Sequence, residues 1–149
     1  MARLTIKGQE YEGKCTFKFD RLADEKYGEA DKNGKKSNGF MTLYMSLLQY
    51  SNEHLVAFWE CALEHLKVKP SLSDIEEAIE ERLENDDDPK QIFQEAFRAV
   101  DESGFFKLRA KTFWKNLELM KDSGKTDEEK AENLKMYNLM IESRIEIQG

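Results

Sequence analysis

The chain has 149 residues, of which 40% are hydrophobic and 36% charged, and its formal net charge at pH 7 is −7. This composition is too polar for a membrane protein, and an aromatic content of 11% is too high for a disordered chain. The length is that of one typical domain, so we expect residues 1–149 to form a single domain. Because no apolar export signal opens the sequence, we expect the two cysteines to remain reduced thiols in the cytosol.

The N-terminal residues alternate apolar and polar side chains, as β-strands do. Leu4 and Ile6 are the apolar positions of the first strand, and residues 7–9 supply a turn. The return strand is predicted to place three apolar side chains on one face: Cys15, Phe17 and Phe19. The pattern therefore predicts a β-hairpin over residues 3–19. Its apolar face must pack on the rest of the fold, because an isolated hairpin is only marginally stable.

Residues 28–39 are predicted to form a loop, since they contain three glycines and no apolar residue larger than alanine. A short helix is expected just before it, over residues 21–27, with Asp20 as its N-cap. The spacing of Glu29, Asp31, Asn33 and Gly34 resembles the first half of an EF-hand calcium loop, with Glu29 at its first position. The bidentate glutamate that such a loop needs at its twelfth position is replaced by Phe40, so no calcium site is predicted.

Residues 40–147 are predicted to be helical. Helix-start and helix-break signals divide this part into about six helices. The signals are Ser37 or Asn38, Asn52, Ser73, Pro89, the Ser103-Gly104 break and Thr126. The predicted fold is α+β and mostly α, with an N-terminal β-hairpin packed on a bundle of about six helices.

Negative charge is concentrated in residues 74–88, where nine acidic residues accompany the single Arg82. No comparable basic cluster exists, so the electrostatic attraction that drives nucleic-acid binding is missing. The acidic segment is typical of a solvated helix face. The alternative is a docking surface for a basic partner.

Candidate metal-binding and catalytic residues are few. His54, Cys61 and His65 share one face of a predicted helix, but His54 lies roughly 10 Å along the axis from Cys61. Cys61 and His65 alone supply two ligands, which is too few for a structural zinc site. The sequence contains no glycine-rich phosphate loop, no HExxH and no Gly-x-Ser-x-Gly. Neither an enzyme nor a bound cofactor is predicted.

The last predicted helix has two apolar stripes on roughly opposite sides. One stripe comprises Leu134, Tyr137, Ile141 and Ile145, and the other comprises Met136, Leu139, Met140 and Ile147. One stripe suffices to dock a terminal helix on its own core. A second indicates burial between neighbouring helices, a methionine-rich face for a partner, or a homodimer contact.

Seven short segments, in their order along the chain, carry a resemblance to a known family. They are LTIKG (4–8), TFKFD (16–20), SNGF (37–40), VAFWECAL (56–63), PSLSDIEEA (70–78), DESGFF (101–106) and FWKNLE (113–118). In these segments the sequence resembles the tail assembly chaperones of long-tailed phages and prophages of Gram-positive bacteria. The resemblance runs nearly from end to end, and its specificity comes from order and coverage, since no single segment is a catalytic signature.

The resemblance implies a non-catalytic role. Such chaperones coat the long, aggregation-prone tape measure protein in the host cytoplasm, help to recruit tail tube subunits around it, and are absent from the finished virion. On this basis we expect Met136, Leu139 and Met140, together with Phe105, to contact a helix of the tape measure protein. The competing hypothesis is a small acidic helical adaptor that binds one folded partner through the acidic segment.

Overall fold

The computed structural model describes residues 2–86 and 88–149, and this part of the chain contains seven helices and two short antiparallel hairpins. The elements are β1 (Arg3–Ile6), β2 (Gln9–Glu12), α1 (Phe17–Tyr27), β3 (Glu29–Ala30), β4 (Lys36–Ser37), α2 (Gly39–Leu48), α3 (Asn52–Ala62), α4 (Leu72–Asn85), α5 (Lys90–Asp101), α6 (Lys107–Met120) and α7 (Asp127–Gln148). The prediction of a mostly α, α+β fold with an N-terminal hairpin is confirmed, as are six helices after the loop.

The second strand of the N-terminal hairpin lies earlier than the sequence pattern predicts. Ile6 pairs with Gln9 across a two-residue turn in which Lys7 and Gly8 both have positive φ, at 49° and 79°. The predicted return strand over residues 14–19 is wrong, because the Thr16 hydroxyl accepts a hydrogen bond from the Phe19 N–H at 3.2 Å and begins α1. Phe19 then shares the buried face of that helix with Ala23, four residues later.

The N-terminal hairpin packs against α4, as its apolar face requires. Leu4 and Ile6 are buried, at 2% and 3% exposure. Arg82 of α4 donates a hydrogen bond to the Arg3 carbonyl at 3.1 Å, and Lys7 lies 3.1 Å from the Asp74 carboxylate. Helix α4, which contains most of the acidic segment, therefore packs on one side against the N-terminal hairpin.

The predicted loop over residues 28–39 contains the small β3–β4 hairpin. One Asp31 carboxylate oxygen accepts hydrogen bonds from the Asn33 N–H at 2.8 Å and the Lys35 N–H at 2.9 Å. This oxygen thus supplies a hydrogen-bond acceptor to two backbone N–H groups of the turn, as aspartate commonly does in turns. The helical part begins one residue earlier than predicted, at Gly39.

Hydroxyl side chains begin three of the helices that follow. Ser51 caps α3, Ser71 caps α4 and Thr126 caps α7, each by accepting a hydrogen bond from the N–H three residues later. Thr126 is the predicted cap. The other two caps lie one residue before the predicted Asn52 and two before the predicted Ser73.

Aromatic side chains from α2, α5 and α6 form the centre of the core. Phe40 stacks on Phe106 with ring centroids 4.5 Å apart, and Tyr44 stacks on Phe97 at 4.8 Å. The buried Tyr44 hydroxyl donates to Asp101 Oδ1 at 2.6 Å and accepts from Trp114 Nε1 at 2.6 Å. These hydrogen bonds tie the same three helices together, and α7 packs on the frame that they form.

Candidate partner-binding surface

Helix α7 docks through one face, which draws on both of the predicted stripes. Its partly or fully buried apolar side chains are Tyr137, Met140, Ile141 and Ile147. Arg144 lies on the same face, and its guanidinium sits 4.7 Å from the centre of the Trp114 ring. The docking face lies between the two predicted stripes: positions 137, 140, 141, 144 and 147 follow the helical repeat, and this face includes a charged residue.

Helix α7 also keeps large apolar side chains exposed outside its docking face. They are Leu134, Met136, Leu139 and Ile145, at 42%, 58%, 50% and 64% exposure. Met136 and Leu139 lie beside the docking face and near α2. A chain that exposes this much apolar surface on one helix has a candidate contact for another protein.

A groove between α2 and α7 brings together three of the four predicted partner-binding residues. Its volume is about 250 Å³, and it is lined by Met45, Leu48, Gln49, Met136, Leu139, Met140 and Ser143. We call it the α2–α7 groove. None of its lining residues is charged, so an apolar segment can enter it without desolvating an ion.

Phe105, the fourth predicted partner-binding residue, does not line the α2–α7 groove. It is half-buried and packs edge-on against Phe17 and Phe106, with ring centroids 4.9 Å from each. Phe17 is 69% exposed, so these two rings form a separate aromatic patch at the start of α1.

The sequence pattern missed the α2 side of the groove. Met45 and Leu48 were not among the predicted partner-binding residues, which lie on α7 and at Phe105. A signal was present: α2 is almost entirely apolar, which is typical of a helix that packs on more than one side.

The acidic segment forms most of α4, and one of its members, Asp87, lies outside the described residues. Arg82 pairs with Asp86 at 3.2 Å and also with Glu95 of α5. On the other side of α4 a groove of about 470 Å³ opens toward α3. We call it the α3–α4 groove, and it is lined by Tyr27, Asn52, Glu53, Val56, Leu72, Glu76, Ile79, Glu80 and Leu83.

The two histidines, one in α3 and one just after its C-terminal end, each contact a residue three positions earlier. His54 Nδ1 lies 2.8 Å from the Ser51 hydroxyl, and His65 Nδ1 lies 2.9 Å from the Ala62 carbonyl oxygen. Within residues 2–86 and 88–149, no three His, Cys, Asp or Glu side chains group in a way that could hold a metal ion.

Both thiols are protected from ionisation. Burial raises the pKa of the Cys15 thiol to about 11 and raises the pKa of Cys61 as well. Since the thiolate is the nucleophilic form, neither cysteine is activated at neutral pH.

None of the helices in the described part of the chain combines the length and apolar character needed to cross a bilayer.

The comparisons with known proteins agree with the resemblance seen in the sequence. A family model described as phage tail assembly chaperone protein, TAC, matches residues 3–115. No curated protein matches the chain, and no solved structure does. The matched region runs from β1 into α6, and α7 lies beyond it. Because this region is well over half of the sequence, the chain belongs to the phage tail assembly chaperone family.

Proposed function

We propose that this chain binds and solubilises the tape measure protein of a long-tailed phage or prophage of a Gram-positive bacterium, and helps to recruit tail tube subunits around it. The role is non-catalytic. It is carried out in the host cytoplasm, and the chaperone leaves before the virion is complete. Membership of the tail assembly chaperone family supports this proposal.

The uncharged α2–α7 groove is the observation that carries the proposal. Three methionines and two leucines line it, and methionine adapts to irregular apolar surfaces because its side chain is flexible and polarizable. The α7 side of the groove, from Met136 to Ser143, covers about two helical turns, or roughly 10 Å. An amphipathic helix of the tape measure protein can lay its apolar face there.

The exposed aromatic patch of Phe17 and Phe105 supplies a second apolar contact in this proposal. Phe105 is half-buried by its neighbours, so Phe17 offers the larger accessible area. The net charge of −7 then keeps the loaded chaperone soluble, since like-charged complexes repel each other.

The proposed site requires α7 to fold as part of one domain that spans residues 1–149. Ile147 is fully buried, and Lys90 of α5 lies 2.9 Å from Glu146 of α7. These contacts join the C-terminal end of α7 to the helical core.

An adaptor that binds one folded partner is the alternative function, and the acidic rim of the α3–α4 groove favours it. The two functions differ in their response to salt. Apolar contacts persist at about 1 M salt, whereas binding to an acidic surface weakens as the Debye length falls to about 3 Å. A second copy of the chain is the alternative occupant of the α2–α7 groove.

Co-expression with the tape measure protein of the same phage tests the proposal. We expect the tape measure protein to move from the pellet to the supernatant, and to co-purify with this chain through a wash in about 1 M salt. A tape measure protein that stays in the pellet beside well-folded, excess chaperone would contradict the proposal. Loss of the complex at high salt would favour the adaptor.

A further inference from the structure

The α3–α4 groove has an apolar floor. Val56 of α3 and Leu72, Ile79 and Leu83 of α4 line it, and Leu72 is 45% exposed at one end. On α4 these residues follow the spacing of one helix face, at positions 72, 79 and 83. Apolar side chains therefore recur along about three turns of this face of α4, with Glu76 between Leu72 and Ile79.

Three glutamates border this floor. Glu53 of α3 and Glu76 and Glu80 of α4 are exposed and line the groove. Among the described residues, no lysine, arginine or histidine nitrogen lies within 4.0 Å of their carboxylates. Acidic residues nearby are paired, since Glu60 lies 2.9 Å from Lys26 and Asp74 lies 3.1 Å from Lys7. The groove thus has three negative charges free to meet a cationic ligand.

The groove is long enough for a helix. Leu72 and Leu83 are eleven residues apart, which corresponds to roughly 16 Å, or three turns. A neighbouring cavity of about 350 Å³ shares Asn52 and Leu83 with the groove and continues it to Phe93 of α5. The apolar floor of this groove matches the apolar stripe of an amphipathic helix. Lys90, which also lines the neighbouring cavity, lies 2.9 Å from the Glu146 carboxylate.

We propose that the α3–α4 groove is a second protein-binding site, separate from the α2–α7 groove, and that it holds a basic amphipathic helix of a partner protein. The apolar stripe of that helix packs on Val56, Leu72 and Leu83. Its lysine or arginine side chains flank the stripe and meet Glu53, Glu76 and Glu80. Charge complementarity sets this occupant apart from the apolar helix face proposed for the α2–α7 groove.

Binding of a synthetic peptide to the full chain tests this site. The probe is an amphipathic peptide of about 18 residues, with leucine at every third or fourth position and lysine on both flanks. A peptide with glutamate in place of each lysine is its control. We expect the lysine peptide to bind and the glutamate peptide to bind at least roughly tenfold more weakly, because like charges then face the rim.

Two double variants on the same helix locate the binding. Glu76→Lys with Glu80→Lys reverses the charge at two positions of the rim. We expect it to weaken binding of the lysine peptide by roughly tenfold or more. Glu77→Lys with Glu84→Lys makes the same change in net charge at exposed positions of α4 that do not line the groove. We expect this control to retain affinity for the lysine peptide within about threefold, because surface charges outside the site act only through the screened field.

A variant in the apolar floor tests the other half of the site. Leu72→Ala shortens a half-exposed side chain of the floor and is expected to weaken binding of the lysine peptide severalfold.

Several outcomes would overturn the proposal. Equal weakening by both double variants would show a general charge effect, and failure of the lysine peptide to bind would show that no such site exists. Loss of peptide binding in a chain that carries Met136→Glu and Leu139→Glu would place the peptide in the α2–α7 groove. An oligomer of the unmodified chain that Glu76→Lys with Glu80→Lys converts to a monomer would make a second copy the occupant.

Discussion

Replacing Gly39 with alanine is expected to lower the free energy of unfolding by roughly 3 kcal/mol. Gly39 is the first residue of α2 and packs directly on the backbone of α1. A Cβ atom there would overlap the Ala23 carbonyl group and would lie 2.5 Å from the Asp24 nitrogen. The Gly39 N–H also donates to Asp24 Oδ1 at 2.9 Å, so the two helices cannot separate without losing this bond. Urea unfolding followed by circular dichroism measures the change.

Gly104→Ala is the matched control for this prediction. Apart from Gly104 and its two chain neighbours, no heavy atom of the described residues lies within 4 Å of the position that its Cβ would take, and its φ does not fall in the left-handed region. We expect a change below about 0.5 kcal/mol. Equal unfolding midpoints for the two alanine variants would show that the close approach of α1 and α2 does not contribute to stability as described.

Placing glutamates at Met136 and Leu139 together is expected to abolish solubilisation of the tape measure protein while the chaperone stays folded. Both side chains are at least half exposed, so the free chain can hydrate the new carboxylates. When an apolar helix enters the α2–α7 groove, those carboxylates lose water without gaining a partner, which costs several kcal/mol. A loss of roughly a hundredfold or more in affinity follows, and the soluble fraction of co-expressed tape measure protein reports it.

Val68→Glu is the control for the groove variant. Val68 lies between α3 and α4, is 86% exposed and does not line the α2–α7 groove. We expect it to retain full solubilisation. If the groove variant also keeps the tape measure protein soluble, the groove is not the binding site. If that variant unfolds, Met136 and Leu139 contribute to the core and not to a partner contact.

Much of the helical part was predictable because its signals are local. The hydroxyl and proline signals placed the helices after the loop. The hairpin was predicted only in its first strand. Phe17 and Phe19 fit strand alternation over a few residues, and the competing signal, the Thr16 cap, decides in favour of α1.

The candidate site was predictable in part. Its α7 residues were identified by their apolar character, yet the docking face of α7 was not predicted, because it lies between the two apolar stripes and includes Arg144. Burial of a guanidinium against Trp114 is a tertiary contact, and no local pattern announces it. Met45 and Leu48 belong to the groove only because α7 crosses α2 at that level, which depends on how distant segments pack.

Photo-crosslinking from Leu139 is the measurement that tests the central claim most directly. A chain with benzoylphenylalanine at this position is co-expressed with the tape measure protein and irradiated, and the same label at Val68 is the comparison. We predict a crosslink to the tape measure protein from position 139 and none from position 68. A crosslink from position 139 only to a second copy of this chain, or to the tape measure protein only from position 68, would contradict the claim that the α2–α7 groove holds the tape measure protein.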